Sequence, residues 1–203
     1  MRERVWIRWP ELLERIDRWR ALGDETTSSS VQHIGRLANG RWLITLYPGL
    51  SSAEIAMAEA RIGVRVPDTF RSFLSCSNGA RLFDSLSIFG SVPALNRKLE
   101  QPIDLWAENI LRPEGALVFG GVTAWSGEGK LVILPDGVVH VVPNEAPFHS
   151  LAKWASLESF LLAEIDRLNG LHASDGRFLG RWSDYLPPGA ESLETERPNE
   201  RAN

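Results

Sequence analysis

The chain has 203 residues, a formal net charge of −4, and 43% hydrophobic against 24% charged residues, the composition of a soluble globular protein with enough apolar material for a core. Charges at Met1-Arg2-Glu3-Arg4 stand where a signal peptide needs an apolar stretch, and no apolar run approaches the ~18 residues that span a bilayer. A lone cysteine, Cys76, excludes an intramolecular disulfide framework and reads as a small buried hydrophobe in a reducing cytoplasm.

In chain order, Pro10 in a first turn, the stripe Leu12, Leu13, Ile16 and Trp19, and the stop at Gly23 predict a helix over 10–22. Residues 24–30 are polar and loop-like, and 41–47 read as a short strand entered through Asn39-Gly40. Ser51 followed by Glu54 is a capping box, with Leu50 and Ile55 placed as a hydrophobic staple. Ile55, Ala58 and Ile62 continue one apolar stripe that Gly63 ends. Pro67 opens a second helix whose Phe70, Phe73 and Leu74 repeat at core spacing, and Asn78-Gly79 predicts a sharp turn after it.

Further on, 82–89 read as a strand and 91–115 as a long loop with one helical turn near Trp106. Strands are expected at 116–123, 130–134 and 138–142, the last two paired across Pro135-Asp136-Gly137. Residues 131–134 and 138–142 are apolar on both faces, so both faces of the sheet there require cover, from the chain itself or from a partner. Ser156 caps a last helix with the stripe Leu157, Phe160, Leu161, Ile165 and Leu168, ended at Asn169-Gly170. Phe178, Trp182 and Tyr185 then mark a piece that docks back on the body.

The ordered set Tyr47-Pro48-Gly49, Glu54, Glu59, Gly63-Val64-Arg65-Val66-Pro67, Phe70 to Leu74 and Asn78-Gly79 resembles the SUKH superfamily, which includes the Smi/Knr fungal cell-wall regulators and many bacterial immunity proteins. Leu117 to Gly121, the hairpin at Pro135 to Gly137 and the helix from Ser156 continue that order, so the resemblance spans residues 9–169. It implies an α+β fold: a small, mainly antiparallel sheet flanked by helices in a single domain. Residues 1–40 would be an N-terminal helical extension packed on a core domain of 41–170. Residues 171–203 would be a C-terminal extension, disordered from about 187.

A search for chemistry finds little. Around Gly127-Glu128-Gly129-Lys130, Ala124 stands where a phosphate loop needs glycine, Leu131 where it needs Ser or Thr, and a strand follows instead of a helix. There is no G-x-S-x-G elbow, and His33, His140, His149 and His172 never approach metal-helix spacing. Glu54 belongs to the cap, and Glu59 is expected to contact backbone or an arginine. Neither an enzyme, a cofactor nor a metal is therefore expected.

Binding remains. Between Glu100 and Glu145, seven acids stand against Arg112 and Lys130, a local net charge of −5 that repels nucleic acid and favours a basic protein. Scattered acids also simply keep a surface soluble. Trp106 and Trp125 fall in loops of this stretch, as interface anchors or as side chains folded down to hold their loops. The resemblance implies intracellular protein binding, with neutralisation of a cognate toxin in bacterial members. The expected partner surface is Asp104, Trp106, Glu108, Trp125, Glu128 and Asp136, covering a basic toxin domain such as a nuclease, with no membrane role. A regulatory scaffold is the second reading.

Overall fold

The structure is a computed structural model that describes residues 9–91, 113–124, 127–143 and 148–190. Helix α1 (Pro10–Asp17) runs into a 3-10 turn (Arg18–Leu22). Strands β1 (Asp24–Thr26), β2 (Gln32–Arg36) and β3 (Trp42–Pro48) follow, then helices α2 (Ser52–Ile62) and α3 (Asp68–Cys76). Next come β4 (Ser77–Leu82), β5 (Leu86–Ile88), β6 (Leu117–Ala124), β7 (Gly127–Ile133), β8 (Val139–Pro143) and β9 (Ala152–Trp154). Helix α4 (Leu157–Gly170) and a 3-10 helix (Trp182–Tyr185) complete the described elements. The strands form one nine-stranded sheet in sequence order, each antiparallel to the next, so the fold is α+β.

The register sorts the two faces. Ile34, Ile44, Leu82, Leu86 and Val122 stand opposite one another across five strands and are all buried. The alternate row holds His33, Thr45, Arg81, Ser87 and Lys130, and is half-exposed. This alternation is expected of a sheet with one packed and one wetter face. In β7 and β8 it disappears: Leu131, Val132, Ile133, Val139, Val141 and Val142 are all buried. The apolar runs are thus covered within the isolated chain. On one side Trp154, opposite Val139, meets Phe160 of α4 edge-on at 4.9 Å, and on the other Phe148 packs against His140 at 5.4 Å.

The core centres on Phe119, against Phe70 of α3 (5.3 Å) and Phe160 of α4 (6.1 Å). Helix α2 starts with a complete Ser51/Glu54 capping box and ends on Gly63 in the left-handed conformation (φ 67°). Pro67, buried at the N-cap, starts α3 without a side-chain cap. Helix α1 inserts Leu12 and Ile16, and Trp9 meets Phe73 edge-on at 6.2 Å.

Several local expectations change. Residues 24–36, taken as loop and extension, supply β1 and β2, so the sheet begins before residue 41. Strand β1 is wholly exposed and β2 carries a single aliphatic residue, Ile34, so neither shows the alternation that marks a strand. Asn78-Gly79 is not a turn: α3 passes directly into β4 at Ser77. The strand read over 82–89 is the turn of a hairpin and its return, because Phe83 and Asp84 adopt positive φ (55° and 59°) between β4 and β5. Of residues 187–190, read as disordered, Pro187 and Ala190 are buried against the body. Residues 191–203 lie outside the described residues, as does the expected helical turn near Trp106.

Candidate functional site

The motif residues converge where β3, α3, β4 and β5 meet. Pro48 closes β3 opposite Ser77, and Gly49 follows against the C-terminal turn of α3. A Cβ on Gly49 would overlap the Ser75 carbonyl, so glycine is the residue that lets β3 pass the helix end. The Ser77 hydroxyl accepts from the Tyr47 N–H (3.1 Å) and donates to the Gly79 carbonyl (2.6 Å). Gly79, at φ 88°, lies so close to β5 that a Cβ would stand 2.8 Å from the Ile88 carbonyl oxygen. Asn78, 3% exposed, accepts the Ser91 N–H on its Oδ1 at 2.7 Å. The Asn-Gly pair therefore ties the start of β4 to the backbone at Ser91.

The two carboxylates of α2 have structural partners. Glu54 accepts from both the N–H and the hydroxyl of Ser51 (2.7 Å each), which hold its carboxyl below the ordinary value. Glu59 accepts the Val66 N–H at 2.8 Å and the Arg71 guanidinium, tying the Gly63–Pro67 linker to α3. Phe70 is fully buried beside Phe73.

Of the expected partner surface, Asp104, Trp106, Glu108 and Trp125 lie outside the described residues. Glu128 belongs to β7 by its backbone, next to the β6–β7 tip. Asp136 is exposed in the β7–β8 turn, where its Oδ1 accepts the Val138 N–H at 3.0 Å. These two positions occupy opposite ends of β7, more than about 15 Å apart at the rise of a strand. Gly115 packs against Pro135, next to Asp136.

The histidines have separate settings. His33 bonds Thr45 (3.1 Å) and stacks on Trp42 (5.5 Å), and burial lowers its pKa. His140 bonds the Ser150 hydroxyl through Nδ1 (2.8 Å) while its buried Nε2 has no partner among the described residues, and burial likewise lowers its pKa. His149 is exposed. No group of three His, Cys, Asp or Glu among the described residues has the proximity to hold a metal ion.

A second polar network joins α1 to α4 and the segment after it, and its bonds from Arg15 and Trp19 to α4, at separations of 150 to 154 residues, had no signal in the sequence. Arg15 pairs with Asp166 (2.8 Å), and the Trp19 indole N–H donates to Asn169 (2.6 Å), which donates in turn to the Arg15 carbonyl (3.3 Å). Glu164, 2% exposed, pairs with Arg167 at 2.7 Å, and burial raises its pKa. Arg167 also donates to the carbonyls of Asp184 and Tyr185. His172 faces the Leu168 carbonyl (2.8 Å) and the Tyr185 hydroxyl (3.3 Å).

These features define an α+β domain on one antiparallel meander, whose sequence motif secures the crossing of two helices with the sheet. The chain belongs to the SMI1 / KNR4 family (SUKH-1), which matches residues 49–163, from the motif glycine to the middle of α4. Neither a curated protein nor a solved structure matches it.

Proposed function

We propose that the chain is an immunity protein that binds a cognate bacterial toxin and occludes its active site. Family membership supports an immunity or regulatory role and is the observation that carries the reading. It is supported by the chemistry of the motif: its two α2 carboxylates, Glu54 and Glu59, are held in structural bonds. The partner surface takes in Asp104, Trp106, Glu108, Trp125, Glu128 and Asp136, and the partner is a basic toxin domain. A standard interface covers about 800 Å² on each partner, wide enough for both ends of β7. An acidic surface speeds encounter with a basic cleft, and buried tryptophans supply most of the affinity. No helix among the described residues is long and apolar enough to cross a membrane, and the reading needs neither membrane nor nucleic acid.

The test is co-purification with the product of the adjacent toxin-like gene, followed by titration of that toxin's activity. Stoichiometric inhibition, weakened more than about tenfold by Trp106→Ala or Asp104→Arg without loss of folding, is the expected result. Retention of wall-synthesis or signalling proteins instead would replace immunity with a regulatory role. Inhibition untouched by either substitution would remove the proposed surface.

A further inference from the structure

Residues 171–190 lie outside the family match and form a strap across the body. The strap turns back on itself, with the Leu179 N–H on the Leu171 carbonyl (2.8 Å), and Phe178 stacks on Tyr185 at 4.2 Å and 7°. Two fastenings hold it to α4. Arg167, braced by Glu164, grips the main chain at Asp184 and Tyr185. His172, bonded to the Leu168 carbonyl of α4, engages the Tyr185 side chain.

The surroundings of His172 divide into body and cover. From the body come Trp19 (6.2 Å), with Arg18 stacked on its ring, and Phe83 (5.0 Å). From the strap come Phe178 (5.4 Å) and Tyr185 (6.1 Å). The Leu168 carbonyl fixes the proton on Nδ1, so Nε2 is the acceptor of the Tyr185 hydroxyl. A second proton on Nε2 would place an imidazolium inside four aromatic rings. It would also force the hydroxyl to turn and point its hydrogen away from its acceptor. Lifting Phe178 and Tyr185, which also breaks the Ser85 bond to the Tyr185 carbonyl, would admit water to that charge.

We propose that the strap is an acid-released latch in which His172 is the trigger and Glu164 the counterweight. Burial sets the sense of each against its charged neighbours. Asp84 of the β4–β5 turn, itself paired with Arg41 and Arg81, favours protonated His172, but burial outweighs it and the histidine titrates below its ordinary value. The closed state therefore takes up this proton less readily than the open one, and closure weakens as pH falls below about 6.5. Glu164 works in the opposite sense. Burial outweighs Arg167 and raises its carboxyl, so the closed state takes up that proton more readily and protonation favours closure.

Two opposed titrations in one fastening give a signature that general acid unfolding lacks. Hydrogen exchange of the full chain, expressed as protection relative to intrinsic rates, should show protection of 178–190 falling severalfold, by less than the roughly tenfold ceiling of one histidine, from pH 7.5 to 5.5 while β6–β8 stays protected. His172→Asn keeps a donor for the Leu168 carbonyl and cannot charge, so the acid loss should vanish. Glu164→Gln removes the counterweight, so the acid loss should deepen. Parallel loss in strap and sheet, a strap insensitive to pH, an undiminished loss in His172→Asn, or an unchanged one in Glu164→Gln would each overturn the latch. Protection of β6–β8 in the same samples reports whether a variant has folded.

Discussion

The stretch matched by the family, 49–163, and the flanks that close around it, 9–48 and 164–190, are held by different means. In the matched stretch the motif works through backbone proximity: Gly49 beneath the end of α3, Gly79 against β5, Asn78 on the Ser91 amide. In the flanks the contacts are side-chain hydrogen bonds, across the chain for Trp19 with Asn169, across 13 residues for His172 with Tyr185, and local for Glu164 with Arg167. Close backbone passage tolerates no added atom. A polar network tolerates replacement of a partner at the cost of the groups left behind.

That contrast is broken most severely at Gly49. Gly49→Ala should cost more than about 3 kcal/mol or prevent folding, since the Ser75 carbonyl cannot yield without unwinding α3. Chemical denaturation would show loss of the whole transition. Asn169→Leu, in the flanks, leaves the buried Trp19 indole N–H without an acceptor and should cost about 1–3 kcal/mol. Here the loss should appear as faster exchange in α1 and the end of α4, with α2 and α3 unchanged. If Asn169→Leu lowers protection uniformly, the two regions are one cooperative unit and the contrast is one of chemistry alone.

Smaller effects sharpen it. Glu59→Ala frees the Val66 N–H and Arg71, and should cost about 1–2 kcal/mol in a thermal melt. Ser51→Ala removes the α2 cap at about 1 kcal/mol, and fraying of the first turn should be visible by exchange. The smallest change is spectroscopic. Burial pushes Tyr185 up to about 12. In a Tyr47→Phe background the ultraviolet titration of the folded chain should therefore midpoint near 12 instead of 10. The raised value means stability present below pH 10 and lost from there to about 12, so a melt at pH 11 should fall below one at pH 9.

How legible the fold was follows the same division. Helix α2 announces itself because Ser51, Glu54, Ile55 and Gly63 act on their immediate neighbours, and the β7–β8 pair because Pro135-Asp136-Gly137 separates two strong strand formers. Strand β2 is silent, since Gln32, His33 and Arg36 become strand only by pairing with β3. Asn78-Gly79 was readable as a special backbone position but not as a strand, because positive φ serves close packing as well as turning. The flank network left no trace, as hydrogen bonds across 150 residues impose no periodicity on either partner.

The strand order has a kinetic consequence. Each strand pairs with its neighbour in the chain, so every closure joins consecutive strands and the sheet can assemble progressively as the chain leaves the ribosome. The bonds from Arg15 to Asp166 and from Trp19 to Asn169, at separations of 151 and 150, have no partner until α4 is synthesised. Helix α1, the earliest described helix in the chain, is thus among the last to be seated, and the apolar stripe of Leu12, Ile16 and Trp19 along it and its following turn is the surface the nascent chain must keep from misassociation until then.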